Sequence, residues 1–150
     1  MNQRGQEGAS FRLIIEAVMV LFILVIILGV VTQVDAWRWK ISEQRLFEGF
    51  KNALNSPDGT VISVKELVLN KGSSYSTSAF SGSVTGLSRD CIEIQASNSS
   101  AFTVTSKSVV EVNTLIQTNV FFKCLPGDSD LVGRPECHSY CYASFGAEFS

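Results

Sequence analysis

The sequence predicts an α+β protein. A long N-terminal hydrophobic helix continues into an amphipathic helix and packs on a small antiparallel β-rich head that bears disulfides. Three observations predict this. The stretch from Leu13 to Val31 is apolar apart from Glu16, and from Ala17 onward it carries no charged or polar side chain. Apolar residues beyond it recur at spacings of three and four as far as Leu54, the helical period. Past Thr60 the period changes to two, and all four cysteines follow.

Four segments result: a leader or cytoplasmic segment over 1–10, a transmembrane or filament-core helix over 11–34, its amphipathic extension over 35–56, and an extracellular head over 57–150. At about 1.5 Å per residue, the apolar run is close to 30 Å long, the thickness of a bilayer's hydrocarbon core. A soluble helix keeps a polar face, and this run has none. Arg4 and Arg12 are the only cations before the run, which favours a cytoplasmic N-terminus and an exported head. Arg38 and Lys40 on the far side weaken that bias. A carboxylate at a membrane centre costs about 2.5–3.5 kcal/mol and less near the interface. Glu16 therefore has two readings. It pairs with Arg12, four residues earlier on the same face, or it makes a registry contact during assembly.

Trp37 and Trp39 fall where an interfacial aromatic belt is expected. Leu46, Phe47, Phe50, Ala53 and Leu54 then alternate with Glu43, Arg45, Glu48 and Lys51, the pattern of a helix with one buried face. Asn55-Ser56-Pro57-Asp58-Gly59 ends it, and no proline comes earlier, so one uninterrupted helix is expected.

In the head, Thr60 to Leu69 reads as a strand turned by Asn70-Lys71-Gly72. Ser73 to Leu87 is either short edge strands or an irregular loop. Strands are expected over Cys91–Ala96, Ala101–Thr105, Val109–Val112 and Asn119–Cys124, which gives a mostly antiparallel head of five or six strands. Leu125 to Ser150 reads as a Gly- and Pro-containing tail.

An even number of cysteines in an exported domain favours two disulfides. Cys91 opens one strand and Cys124 closes another, so the favoured pairing is Cys91–Cys124 with Cys137–Cys141, one of three possibilities. Cys137 pairing back to the sheet is an alternative. Zinc held by the cysteines and His138 is a lesser reading, because the tight C-x2-C pairs of zinc ribbons are absent. Asn98-Ser99-Ser100 is a possible glycosylation acceptor at a turn.

Catalytic signals are sparse. His138 is the only histidine, and a cysteine nucleophile beside it would need a free thiol. No phosphate-binding loop or dinucleotide fingerprint occurs. The expectation is a non-enzyme without cofactor or metal. A net charge of −2 without basic blocks argues against nucleic acid as a partner.

Arg4-Gly5-Gln6, followed within a few residues by the apolar helix, resembles the class III signal peptide of archaeal type IV pilin-like proteins. The resemblance covers about the first third of the chain. It implies a prepilin-type peptidase that cuts between Gly5 and Gln6, or between Gly8 and Ala9, and leaves the helix as anchor and assembly core. Glu7 and Glu16 are the nearest counterparts of the family's carboxylate near the fifth mature position. The resemblance further implies a lollipop-shaped filament subunit at the cell surface, with copies of itself or other pilin-like subunits as partners and the head exposed for adhesion. Two alternatives stand beside it. One is a single-pass anchored extracellular binding module that forms no filament. The other is a secreted domain released after Val34-Asp35-Ala36, although the apolar run exceeds the usual signal length.

Overall fold

The computed structural model describes residues 4–149, with side chains described from residue 11 onward except at positions 32, 35 and 36. Helix α1 spans Arg4–Leu54. The chain divides into two compact units, Met1–Arg38 and Trp39–Ser150, so the division falls within α1.

In the first unit, Phe11–Val31 is a 21-residue helical segment of mean hydropathy 3.2. Every large apolar side chain along it is exposed. Absence of proline and of polar competitors for backbone hydrogen bonds explains the unbroken helix.

The second unit begins with the last turns of α1. Ser42, Leu46, Phe50 and Ala53 form their buried face, with Phe47 and Leu54 partly covered. The following elements are β1 (Val61–Leu69), β2 (Ser74–Ser76), a short α2 (Thr77–Gly82), a 3-10 turn (Arg89–Cys91), β3 (Ile92–Ala96), β4 (Phe102–Thr105), β5 (Val109–Val112), β6 (Ile116–Pro126) and β7 (Ser139–Phe145). One sheet has the order β1-β6-β7-β3 and the other β2-β5-β4.

Two features differ from expectation, and one parallel pairing stands within an otherwise antiparallel head. β7 lies within the segment read as a tail, and its Cys141, Ala143 and Phe145 point into the core at period two. β3 pairs with β7 in parallel while the other pairings are antiparallel. Three strands separate β3 from β7, which gives the long connection that parallel pairing requires. Part of Ser73–Leu87 is helical rather than extended. The Ser76 hydroxyl accepts the Ala79 N–H at 3.2 Å and caps α2, and Phe80 anchors it at 0% exposure.

The core is aromatic at its centre. Phe122 meets Phe50 and Phe80 at centroid distances of 5.6 and 5.8 Å, and Phe50 meets Phe80 at 5.0 Å. Gly49 lets the helix lie this close to the sheet, because a Cβ there would run into the Val64 side chain and press on the Phe122 ring at 3.3 Å.

Specific contacts occupy part of both edges of the larger sheet, which leaves fewer pairing sites for other chains. On β1, the Val68 N–H donates to Ser42 Oγ at 3.2 Å and the Lys65 carbonyl accepts from Arg45 at 3.1 Å. A bulge between Val64 and Leu67 places Glu66 at φ 56°, and its N–H donates to Asn119 Oδ1 at 3.0 Å. On β3, the Ile94 N–H donates to the Lys107 carbonyl at 2.8 Å. Lys107 sits with Ser106 at the β4–β5 turn, and both have positive φ, 56° and 52°. Left-handed backbone costs about 1–2 kcal/mol per non-glycine residue. The contacts of this turn to β3 offset that cost.

Candidate functional site

The disulfides join Cys91 to Cys137 and Cys124 to Cys141. This corrects the expected Cys91–Cys124 and Cys137–Cys141 pairing and bears out the alternative in which Cys137 returns toward the sheet. Cys124 and Cys141 stand opposite each other across β6 and β7, with Cα atoms 4.1 Å apart. Cys137 lies just before β7 and bridges to Cys91, at the end of the 3-10 turn that leads into β3. All four thiols are consumed, so neither a thiolate metal site nor a cysteine nucleophile beside His138 is available. Among the described residues, no group of three or more His, Cys, Asp or Glu side chains is placed to hold a metal ion.

The two bridges bracket His138. Its carbonyl accepts the Gly127 N–H at 3.3 Å, and the Arg134 N–H donates to the Gly127 carbonyl at 2.9 Å, which folds residues 127–137 into a compact loop. Gly127 is required there because a Cβ would collide with the carbonyl oxygens of Cys137 and Arg134. A groove of about 350 Å³ runs beside His138, and all three prolines of the chain, Pro57, Pro126 and Pro135, line it together with Asp128. A second groove of about 320 Å³ is lined by Leu54, Asn55 and Leu87 and shares Pro57, His138 and Ser139 with the first. Prolines and disulfides fix the backbone before any ligand arrives, which reduces the ordering cost of binding. Nothing in the sequence brings Pro57 to the distant pair Pro126 and Pro135, so this groove was not expected from it.

A polar cluster occupies the outer side of β3 and β7. Glu93 Oε1 accepts Lys107 Nζ at 2.9 Å and Gln95 Nε2 at 3.0 Å, while the Tyr140 hydroxyl donates to Oε2 at 3.4 Å. Tyr140 packs edge-on against Tyr142 at 5.1 Å, and the Arg134 guanidinium lies 5.9 Å from the Tyr140 ring centre. Burial pushes the Glu93 carboxyl up, but the hydrogen bonds from Lys107 and Gln95 and the Lys107 charge outweigh it, so its pKa is lowered. Burial, followed by the Glu93 charge, raises both tyrosines. Held by three donors, this carboxylate latches the β4–β5 turn and β7 to β3.

The latch has a pH signature. A depressed carboxyl pKa contributes stability that is present above the ordinary value of 4.5 and lost as pH falls through the lowered folded value. Replacing Glu93 by Gln is expected to remove that acid-side component, under about 1 kcal/mol for a pair with one exposed partner. Melting temperatures of both proteins in detergent, compared between pH 6 and pH 3, measure it. Parallel curves for the two proteins would contradict the assignment.

No family model, curated protein or solved structure matches this chain. The surfaces themselves therefore carry the functional reading.

Of the residues singled out from sequence, Arg12 and Glu16 form an ion pair at 3.6 Å with both side chains exposed. That is the local pairing, worth little at a surface. Trp37 is exposed, and Trp39 is at 36% exposure. Burial and the Glu43 charge raise the pKa of Tyr75, with hydrogen bonds from Trp39 and Ser73 acting the other way. Gly5, Gln6, Gly8 and Ala9 fall within the helix bounds of α1, but their side chains lie outside the described residues. Asn98 is exposed at the β3–β4 connection.

Proposed function

We propose that this chain is a structural, non-catalytic subunit of an extracellular type IV pilus-like filament, anchored and assembled through its N-terminal helix. The observation that carries the reading is the apolar surface of Phe11–Val31, none of it buried within the chain. So much exposed apolar area is stable only against lipid or against like helices, at about 25 cal/mol per Å² covered. The helical run of α1 from Arg4 to Leu54, with no proline before Pro57, supports the reading too. Two disulfides suit a head exported to an oxidising compartment. The leader motif Arg4-Gly5-Gln6 supplies the processing step by its likeness to prepilin signals. The membrane holds the subunit before assembly, a prepilin-type peptidase releases the leader, and copies of the chain or other pilin-like subunits receive the helix.

A second reading, an anchored binding module without a filament, draws support from the rigid groove around His138. A Gly5→Leu substitution separates the two. The filament reading predicts loss of leader removal and of surface filaments seen by electron microscopy, with the protein retained in the membrane. Filaments that persist with an intact leader would contradict it.

A further inference from the structure

Asn98-Ser99-Ser100 is the only Asn-x-Ser/Thr triplet in the sequence, and the structure places it on the connection from β3 to β4. All three residues are exposed. The Ser99 N–H bonds to the Ser97 carbonyl at 2.7 Å and the Phe102 N–H to the Ser99 carbonyl at 3.3 Å, so the triplet forms a local turn outside both sheet ladders. Ser97 in turn donates its N–H to the Phe145 carbonyl at 2.7 Å, which fixes the base of the turn to β7.

Two other asparagines of the head, Asn113 and Asn119, make an informative contrast. Asn113 donates to the Ser100 carbonyl at 3.0 Å and to Thr103 Oγ1 at 2.9 Å, and Asn119 accepts from Glu66. Both are committed to the fold, and neither begins an acceptor triplet. Among the described hydrogen bonds, none uses the Asn98 carboxamide or the Ser100 hydroxyl, the two groups that an N-glycosylating enzyme engages. The triplet is thus accessible in the folded head, and a substituent on Asn98 Nδ2 displaces no contact.

We infer that Asn98 carries an N-linked glycan, taken from a lipid phosphate- or pyrophosphate-linked sugar donor on the outer side of the membrane. In the transfer, Asn98 Nδ2 bonds to the sugar C1 and gives up one proton, which the departing phosphate group carries away. The bond from C1 to the donor's phosphate oxygen breaks, and the lipid phosphate or pyrophosphate leaves with the electron pair. No oxidant or reductant is needed. The glycan leaves the turn at the entry to β4, an edge strand whose Thr103, Val104 and Thr105 are exposed. A bulky hydrophilic group there hinders edge-to-edge pairing of heads. The inference rests on the exported head of the proposed function.

The test uses protein recovered from its native cells, as wild type and as N98Q, S100A and S100T. After reduction and trypsin digestion, the mass of the peptide from Asp90 to Lys107 is measured. The expected result is a mass excess on the wild-type peptide that disappears completely in N98Q and S100A and persists in S100T. A wild-type peptide at its sequence mass, or an excess that survives N98Q, overturns the inference. Unreduced samples identify which reading has failed. A bare peptide from a head with both disulfides formed overturns glycosylation alone, and a bare peptide from a head with reduced thiols overturns export as well.

Discussion

Replacing Phe122 by Ala is expected to destabilise the head by about 3–5 kcal/mol, the range for deleting a fully enclosed aromatic side chain. Phe122 is 0% exposed and joins three parts of the core: Phe50 from α1, Phe80 from α2, and the inner face of β6. The cavity has little freedom to collapse, because the helix is already held near the sheet at Gly49. Urea unfolding of the detergent-solubilised protein, followed by near-ultraviolet circular dichroism, measures the effect. A loss below about 1 kcal/mol, the scale of a surface substitution, would mean that this aromatic cluster is not the centre of the core.

Replacing Cys91 and Cys137 together by Ala is expected to cost about 4 kcal/mol. The bridge spans 46 residues, and the chain-entropy model assigns about that value to a loop of such size. Cys124–Cys141 spans 17 residues and links strands already paired, so its double Ala variant is expected to lose less, about 3 kcal/mol. Denaturant midpoints of the two variants give the comparison. The C91A/C137A protein should also keep Cys124 and Cys141 joined and show no free thiol. Two reactive thiols in that variant would contradict the pairing.

These consequences trace the line between what local sequence encodes and what only the folded chain reveals. Helix α1 was legible because its signals are local: a run without polar residues, then Leu46, Phe50 and Ala53 at helical spacing. β1 and β6 were legible in the same way, from alternation bounded by turn residues. β7 was hidden by the Pro135–Tyr140 region, whose turn-forming residues masked the alternation of Cys141, Ala143 and Phe145. The disulfides were misassigned because nearness in sequence stood in for nearness in space. Three residues separate Cys137 from Cys141 in sequence, whereas strand pairing sets Cys124 directly against Cys141. Glu93 and Lys107 lie on opposite sides of β4, and no periodicity links them until the β4–β5 turn docks on β3. The three prolines of the His138 groove likewise meet only through the sheet order. The surface that carries the functional reading is the opposite case. The apolar face of Phe11–Val31 follows from composition alone, and folding leaves it uncovered.

The central claim is that this helix remains with the mature subunit after removal of a short leader, and the N-terminus of the native protein tests it most directly. Intact mass and N-terminal sequencing of the protein from its surface or membrane fraction should give a chain beginning at Gln6 or Ala9, with the apolar helix retained. Assembled protein that still begins at Met1, or a soluble chain beginning at Trp37, would contradict the account.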